Sequence, residues 1–104
     1  MKPYQEEFIE FLLSNKALVF GDFVLKSRRH SPYFFNLGLL NTGSQLMQMG
    51  KFYAHTIIDT IGDDFDIVFG PAYKGIPLAV ATVASLGTYF GKEKRYCSNR
   101  KEKK

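Results

Sequence analysis

The chain has 104 residues, 45% hydrophobic, 15% aromatic and 23% charged, which suits one small globular domain and excludes the polar, charge-heavy make-up of a disordered segment. Its net charge of +4 is a property of the end: residues 1–90 hold 7 Lys+Arg against 8 Asp+Glu, whereas residues 91–104 hold 7 basic and 2 acidic. The body therefore offers no broad cationic face for a phosphate backbone, and no nucleic acid is expected as a partner.

Cys97 is the single cysteine, so it makes no internal disulfide, and with only His30 and His55 for company it builds no zinc site. The start lacks an apolar signal core, and the uncharged, apolar stretch Gly75 to Gly91 is broken by Pro77, Thr82 and Ser85. The expectation is a cytoplasmic chain with no membrane span.

From Pro3 to about Asn15, Tyr4, Phe8, Ile9, Phe11, Leu12 and Leu13 recur at helical spacing, with Pro3 suited to a first turn and Glu6 and Glu7 near the positive end. Between Leu18 and Leu40 short β-prone runs (Leu18–Phe20, Phe23–Leu25, Tyr33–Leu37) are broken by Gly21-Asp22 and by the segment Ser27 to Pro32, which predicts a small antiparallel ribbon with a basic turn. Thr42 or Ser44 can cap the next helix, with Leu46, Met49, Tyr53, Ile57 and Ile61 as its stripe and Gly62-Asp63-Asp64 as its stop. Gly50 inside that helix costs roughly 1 kcal/mol relative to Ala. Phe65 to Phe69 reads as a buried strand, Gly70 to Gly75 as a loop, Ile76-Pro77 as the start of an apolar helix, and Tyr96 to Asn99 as a further strand. Helix, strand, glycine-bounded loop, helix is the grammar of an α/β parallel sheet. One full βα unit leaves that sheet unfinished, which suggests a truncated chain.

Two segments carry the chemistry. In Phe69 to Pro77 a strand delivers a loop to the carboxyl edge of a sheet, and the following helix points backbone N–H groups and its positive end at it. Gly70 and Gly75 permit close backbone approach, and Lys74 adds a full charge, so the loop reads as an anion site or as an ordinary tight turn with an exposed lysine. In Lys26 to Asn36 alternation along a strand sends Tyr33, Phe34 and Phe35 to opposite faces, so one of them lines a pocket or all are buried on two sides of a small hairpin. His30 reads as an exposed turn residue, and His55 as lying on the polar side of its helix. The tail Arg100-Lys101-Glu102-Lys103-Lys104 reads as a solvated charge run or as a mobile segment that folds over a polyphosphate.

Taken together, Met1-Lys2-Pro3-Tyr4-Gln5, Leu25-Lys26-Ser27, Ser31-Pro32-Tyr33-Phe34-Phe35-Asn36, Asn41-Thr42-Gly43, Phe69 to Pro77 and Asn99-Arg100-Lys101-Glu102 resemble the N-terminal portion of bacterial orotate phosphoribosyltransferases, over essentially the whole chain. The resemblance implies a helix and antiparallel hairpin followed by the first part of a Rossmann-like type I phosphoribosyltransferase sheet. Residues 1–40 would form the helix and hairpin of the substrate region, 41–99 the start of the α/β core, and 100–104 the start of a mobile catalytic loop. It implies transfer of phosphoribosyl from phosphoribosyl diphosphate to orotate, with Mg²⁺ carried mainly on the donor's diphosphate, in a homodimer.

Carried over by position, Lys26 reaches the reacting centre, Phe34 and Phe35 hold orotate, and Tyr73, Lys74, Arg100, Lys101 and Lys104 bind phosphoribosyl diphosphate, with Lys26 and Lys104 catalytic. Arg28 departs from the family, which commonly has Gly in that turn. The acidic motif Asp-Asp-x-x-Thr-x-Gly-Thr, which grips ribose and phosphate, is absent from these residues, so no metal ligand is assigned and the 104 residues alone are expected to be inactive. A rival reading is a small anion or nucleic-acid binding module that uses the basic tail and the Arg28-Arg29-His30 turn.

Overall fold

The computed structural model describes residues 1–100, which fall into two compact units that divide between Asn41 and Thr42. The first opens with helix α1, Pro3–Ser14. Pro3 stands in the first turn, where the N–H it lacks would have no helical partner, and the Gln5 side chain accepts from the Lys2 N–H at 2.9 Å. Tyr4, Phe11 and Leu12 are buried, whereas Leu13, included in the expected apolar set, is exposed. Residues 11, 12 and 13 span about 200° of a helix, so one of the three must leave the buried stripe.

Strands β1, Leu18–Val24, and β2, His30–Phe35, pair antiparallel as expected. Gly21-Asp22 does not break the ribbon into two runs. The register passes from Phe20↔Tyr33 to Phe23↔Ser31, so Gly21 and Asp22 stand opposite Pro32 as a bulge inside one strand, and the proline, which has no ladder N–H to give, sits where pairing lapses. Across the turn the Arg28 N–H donates to the Leu25 carbonyl at 2.8 Å and the Leu25 N–H to the Arg29 carbonyl at 2.9 Å. Arg28 itself is left-handed, at φ 64°. Lys26, Ser27 and Arg28 thus form a three-residue loop of the kind that ends on a left-handed residue. After β2 a short 3-10 turn, Leu37–Leu39, is capped by Asn36, whose Oδ1 accepts from the Gly38 N–H at 3.0 Å.

The second unit begins at Thr42, which caps helix α2, Gly43–Thr60: its hydroxyl accepts from the Gln45 N–H while the Gln45 side chain accepts from the Thr42 N–H. Met49, Gly50 and Ala54 are its buried residues. Ile61, expected in the stripe, is the C-cap and lies 63% exposed, because the helix ends before its turn is completed. His55 is half-buried with its ring 5.7 Å from that of Phe90, not on a solvent-facing polar side. Gly50 is explained by packing: a Cβ there would meet the Ala81 carbonyl oxygen and lie 2.6 Å from the Ala81 carbonyl carbon. Its propensity cost is the condition for α2 to approach helix α3, Gly75–Phe90.

Strands β3, Ile67–Gly70, and β4, Arg95–Ser98, flank α3 in sequence and pair parallel, Ile67↔Arg95 through Gly70↔Ser98. The helix joining two parallel neighbours makes a βαβ unit. β3 starts two residues later than the β-prone run suggests, because Phe65 and Asp66 are engaged elsewhere. The Phe65 N–H donates to the Asp63 carbonyl, Lys94 Nζ donates to the carbonyls of Asp63 (2.7 Å) and Phe65 (2.5 Å), and the Arg95 N–H reaches the Asp66 carbonyl. The Lys94 ammonium also lies 4.6 Å from the centre of the Phe65 ring. α3 ends on Gly91 in the left-handed region, φ 66°.

Candidate functional site: the turn after β1 and the loop after β3

In the first unit Lys26 stands at the second position of the exposed turn between β1 and β2, anchored only through the backbone bonds of its neighbours. Tyr33, Phe34 and Phe35 are all exposed, at 49%, 44% and 45%, so the expectation of two-sided burial is overturned. A two-stranded ribbon has a face on each side and no third layer within its own unit to cover them. Register places Phe34 beside Val19, and Phe35 beside Leu18 on the other face. The Phe34 ring also lies 5.8 Å from Phe23, tilted at 41°. The Phe34 and Phe35 rings therefore lie on opposite faces of the ribbon, and a flat group laid on either face would meet only one of them.

In the second unit β3 ends at Gly70, the loop runs from Pro71 to Lys74, and α3 begins at Gly75. Tyr73 and Lys74 are adjacent and exposed, and together with Pro71, Ala72 and Gly75 they line an open depression of about 410 Å³. The Ala72–Tyr73 peptide is cis. Three features of this loop depart from the sequence reading or were missed by it.

The helix does not present open donors: the Gly75 N–H donates to the Pro71 carbonyl (3.0 Å), the Ile76 N–H to the Tyr73 carbonyl (3.3 Å), and Pro77 has no N–H. The first residues of α3 thus offer no free amide, and attraction for an anion rests mainly on the Lys74 charge and the helix dipole. The glycines serve the loop's own closure: a Cβ at Gly70 would lie 2.5 Å from the Gly75 carbonyl oxygen and 2.8 Å from Ala79 Cβ, and one at Gly75 would lie 2.5 Å from Pro71 Cδ. Finally, the Ala72 N–H donates to Asn99 Oδ1 at 2.7 Å, a bond between residues 27 apart. In the sequence Asn99 stood at the end of the expected strand Tyr96 to Asn99 and at the head of the family-like run Asn99 to Glu102, with no role assigned to it.

Arg100 follows Asn99 and is exposed. Lys101 and Lys104, also assigned to the donor, lie outside the described residues. Among the described residues no group of three His, Cys, Asp or Glu is placed to hold a metal ion, and the loop carries no carboxylate. Among the described residues, then, the loop has no ligand set of its own for Mg²⁺. Among the described residues, too, no helix is long and apolar enough to cross a membrane.

Comparison with known proteins gives this geometry a family context. The chain is 56% identical over all 104 of its residues to the orotate phosphoribosyltransferases of Enterobacter sp. (strain 638) and Cronobacter sakazakii, in each case covering 48% of the relative. The crystal structure of the Francisella tularensis orotate phosphoribosyltransferase superposes with a TM-score of 0.84 at 50% identity, over 91% of this chain and 46% of that one. No family model matches the chain. The chain thus spans about half the length of the curated relatives it matches, and corresponds to their N-terminal portion. The helix, antiparallel hairpin, helix and parallel strands described above match the fold of these phosphoribosyltransferases.

Proposed function

We propose that the chain is the N-terminal part of an orotate phosphoribosyltransferase, a single domain in which residues 1–40 serve orotate, 41–99 begin the α/β core and 100–104 begin a mobile catalytic loop. In the reaction a ring nitrogen of orotate gives up its proton and bonds to C1 of the ribose while the bond from C1 to the diphosphate oxygen breaks; the electron pair leaves with diphosphate, whose oxygens take up the proton or pass it to water. The product is orotidine 5′-monophosphate, a precursor of UMP. The observation that carries this reading is the 56% identity sustained over all 104 residues.

Lys26 reaches the reacting centre. Phe34 and Phe35 hold the flat orotate ring, one by its face and one by its backbone. Tyr73 and Lys74 take the diphosphate end of the donor, joined by Arg100, Lys101 and Lys104. Diphosphate gains charge as it departs, so fixed cations aimed at it stabilise the transition state more than the ground state. Mg²⁺ enters with the diphosphate as part of the substrate. Closure of the basic loop excludes water from a ribosyl centre that water would hydrolyse. The proposed setting is a cytoplasmic homodimer.

Turnover tests the reading. Because the acidic ribose-phosphate motif is absent from these residues, the 104-residue chain gives negligible loss of orotate absorbance with phosphoribosyl diphosphate and Mg²⁺. Joined to the C-terminal half of a relative, it forms orotidine monophosphate. In that joined enzyme Lys74→Ala weakens donor binding by about 1.5–3 kcal/mol, the range for a lost charge-assisted hydrogen bond, with a smaller effect on orotate. Robust turnover by the 104 residues alone would overturn the incompleteness, and indifference to Lys74→Ala would overturn the loop's role.

A further inference from the structure

We propose that Asn99 is the positioning residue of the diphosphate loop, holding Ala72 so that Tyr73 and Lys74 leave the sheet edge in the direction the ligand requires. The inference rests on the reading of that loop as the diphosphate site. The other bonds described for the loop are local ones. Gly75 N–H to Pro71 carbonyl and Ile76 N–H to Tyr73 carbonyl hold the loop's far end against the start of α3, and neither fixes Ala72, the residue from which the Tyr73-Lys74 pair departs. The Asn99 Oδ1 acceptor, 2.7 Å from the Ala72 nitrogen, ties that point to the end of the neighbouring strand. β4 is itself held to β3 up to the Gly70↔Ser98 pair. Ala72 is thus referenced to the sheet on both sides, through Gly70 along the chain and through Asn99 across it.

The chemistry of the acceptor matters as much as its position. An aspartate would accept the same N–H, and more strongly because it is charged, but it would set a negative charge beside a polyanion. Asparagine is the side chain of this shape that accepts the bond and stays neutral. Since Arg100 follows directly in sequence, the same bond also fixes where the basic segment starts relative to the loop.

Two variants of the 104-residue chain separate these contributions, with backbone amide exchange followed residue by residue and inorganic diphosphate with Mg²⁺ titrated by calorimetry. In Asn99→Ala the Ala72 amide exchanges faster and diphosphate binds roughly two- to tenfold more weakly, the effect of one hydrogen bond of ordinary net strength, while the buried Leu86 amide in α3 keeps its protection. In Asn99→Asp the Ala72 amide keeps wild-type protection, yet diphosphate binding still weakens, and added salt narrows the gap. A wild-type affinity in Asn99→Ala, or an Ala72 amide whose protection does not depend on residue 99, overturns the positioning role while leaving the loop assignment standing. Failure of the unaltered chain to bind diphosphate overturns the loop assignment and the inference with it.

Discussion

The turn after β1 and the loop after β3 both present a lysine to solvent, and they are built by opposite means. The turn is closed by two backbone bonds across Leu25, Arg28 and Arg29, tolerates a left-handed arginine, and is flanked by aromatic side chains left half-exposed. The loop is closed by the absence of side chains: Gly70 and Gly75 leave no room for a Cβ, and a distant asparagine pins it. A site made by exclusion of atoms tolerates little substitution at its frame, whereas a site made by a ribbon turn tolerates much. Mutations that probe this contrast span a wide range of effect.

The largest effect is expected at Gly70. A side chain there must displace the Gly75 carbonyl or Ala79, so Gly70→Val lowers stability by about 3 kcal/mol, the upper part of the range for overpacking, and abolishes diphosphate binding. Urea unfolding measures the first and calorimetry the second. Next comes Gly50→Ala, where two principles disagree in sign. Helix propensity alone predicts a gain of roughly 1 kcal/mol, whereas the overlap with the Ala81 backbone predicts a net loss of about 1–2 kcal/mol. A midpoint that rises in urea would show that α2 and α3 can separate at no cost.

In the turn the expected change is smaller and opposite. Arg28→Gly relieves a left-handed residue that costs about 1–2 kcal/mol, less the entropy glycine gives back to the unfolded chain, and so stabilises by about 0.5–1 kcal/mol. Thermal unfolding of the pair of proteins reads it, and destabilisation by glycine would mean that the arginine side chain makes a contact worth more than the backbone relief.

The smallest effect is at Asp63. The hydrogen bond from Lys92, at 3.1 Å, and its charge hold the Asp63 carboxyl below its ordinary value of 3.8. A group depressed in the folded state adds stability above its unfolded pKa, and that stability is lost as the pH falls through the folded one. Wild type therefore exceeds Asp63→Asn by a small, constant margin at neutral pH that vanishes on acidification through the carboxylate range. Denaturation across a pH series checks the sign, and a margin that grows in acid would reverse it. The ion pair is exposed, so the margin is also reduced by salt.

Much of the frame was legible in the chain. Proline at the first turn of α1, the Thr42 cap, the strand before Gly70 and the stop at Gly62 are local signals, and local signals survive into the fold. What escaped was relational. Periodicity marks Gly50 as a defect because it knows nothing of Ala81, and it expects Tyr33 to Phe35 inside because it cannot count the layers available to cover them. Gly21-Asp22 reads as a break until its partner strand shows it to be a bulge. The Ala72–Asn99 bond joins residues that no sequence window holds together. At the site, Lys74 stood out by its setting and Lys26 and Tyr73 only through the family resemblance, and the way α3 consumes its first amides did not show in the sequence.

Lys94 has a consequence for how the second unit comes apart. By donating to the carbonyls of Asp63 and Phe65 from the far side of α3, it fastens the entrance of β3 to the entrance of β4 and closes a ring around the intervening helix. An opening that starts at the entrance of either strand must first undo this buckle. The entrances of β3 and β4 are therefore expected to open together rather than fraying in turn, so that exchange of the Ile67 and Arg95 amides reports a common opening. The loop after β3, at the opposite end of those strands, is thus carried on a pair braced at its far end.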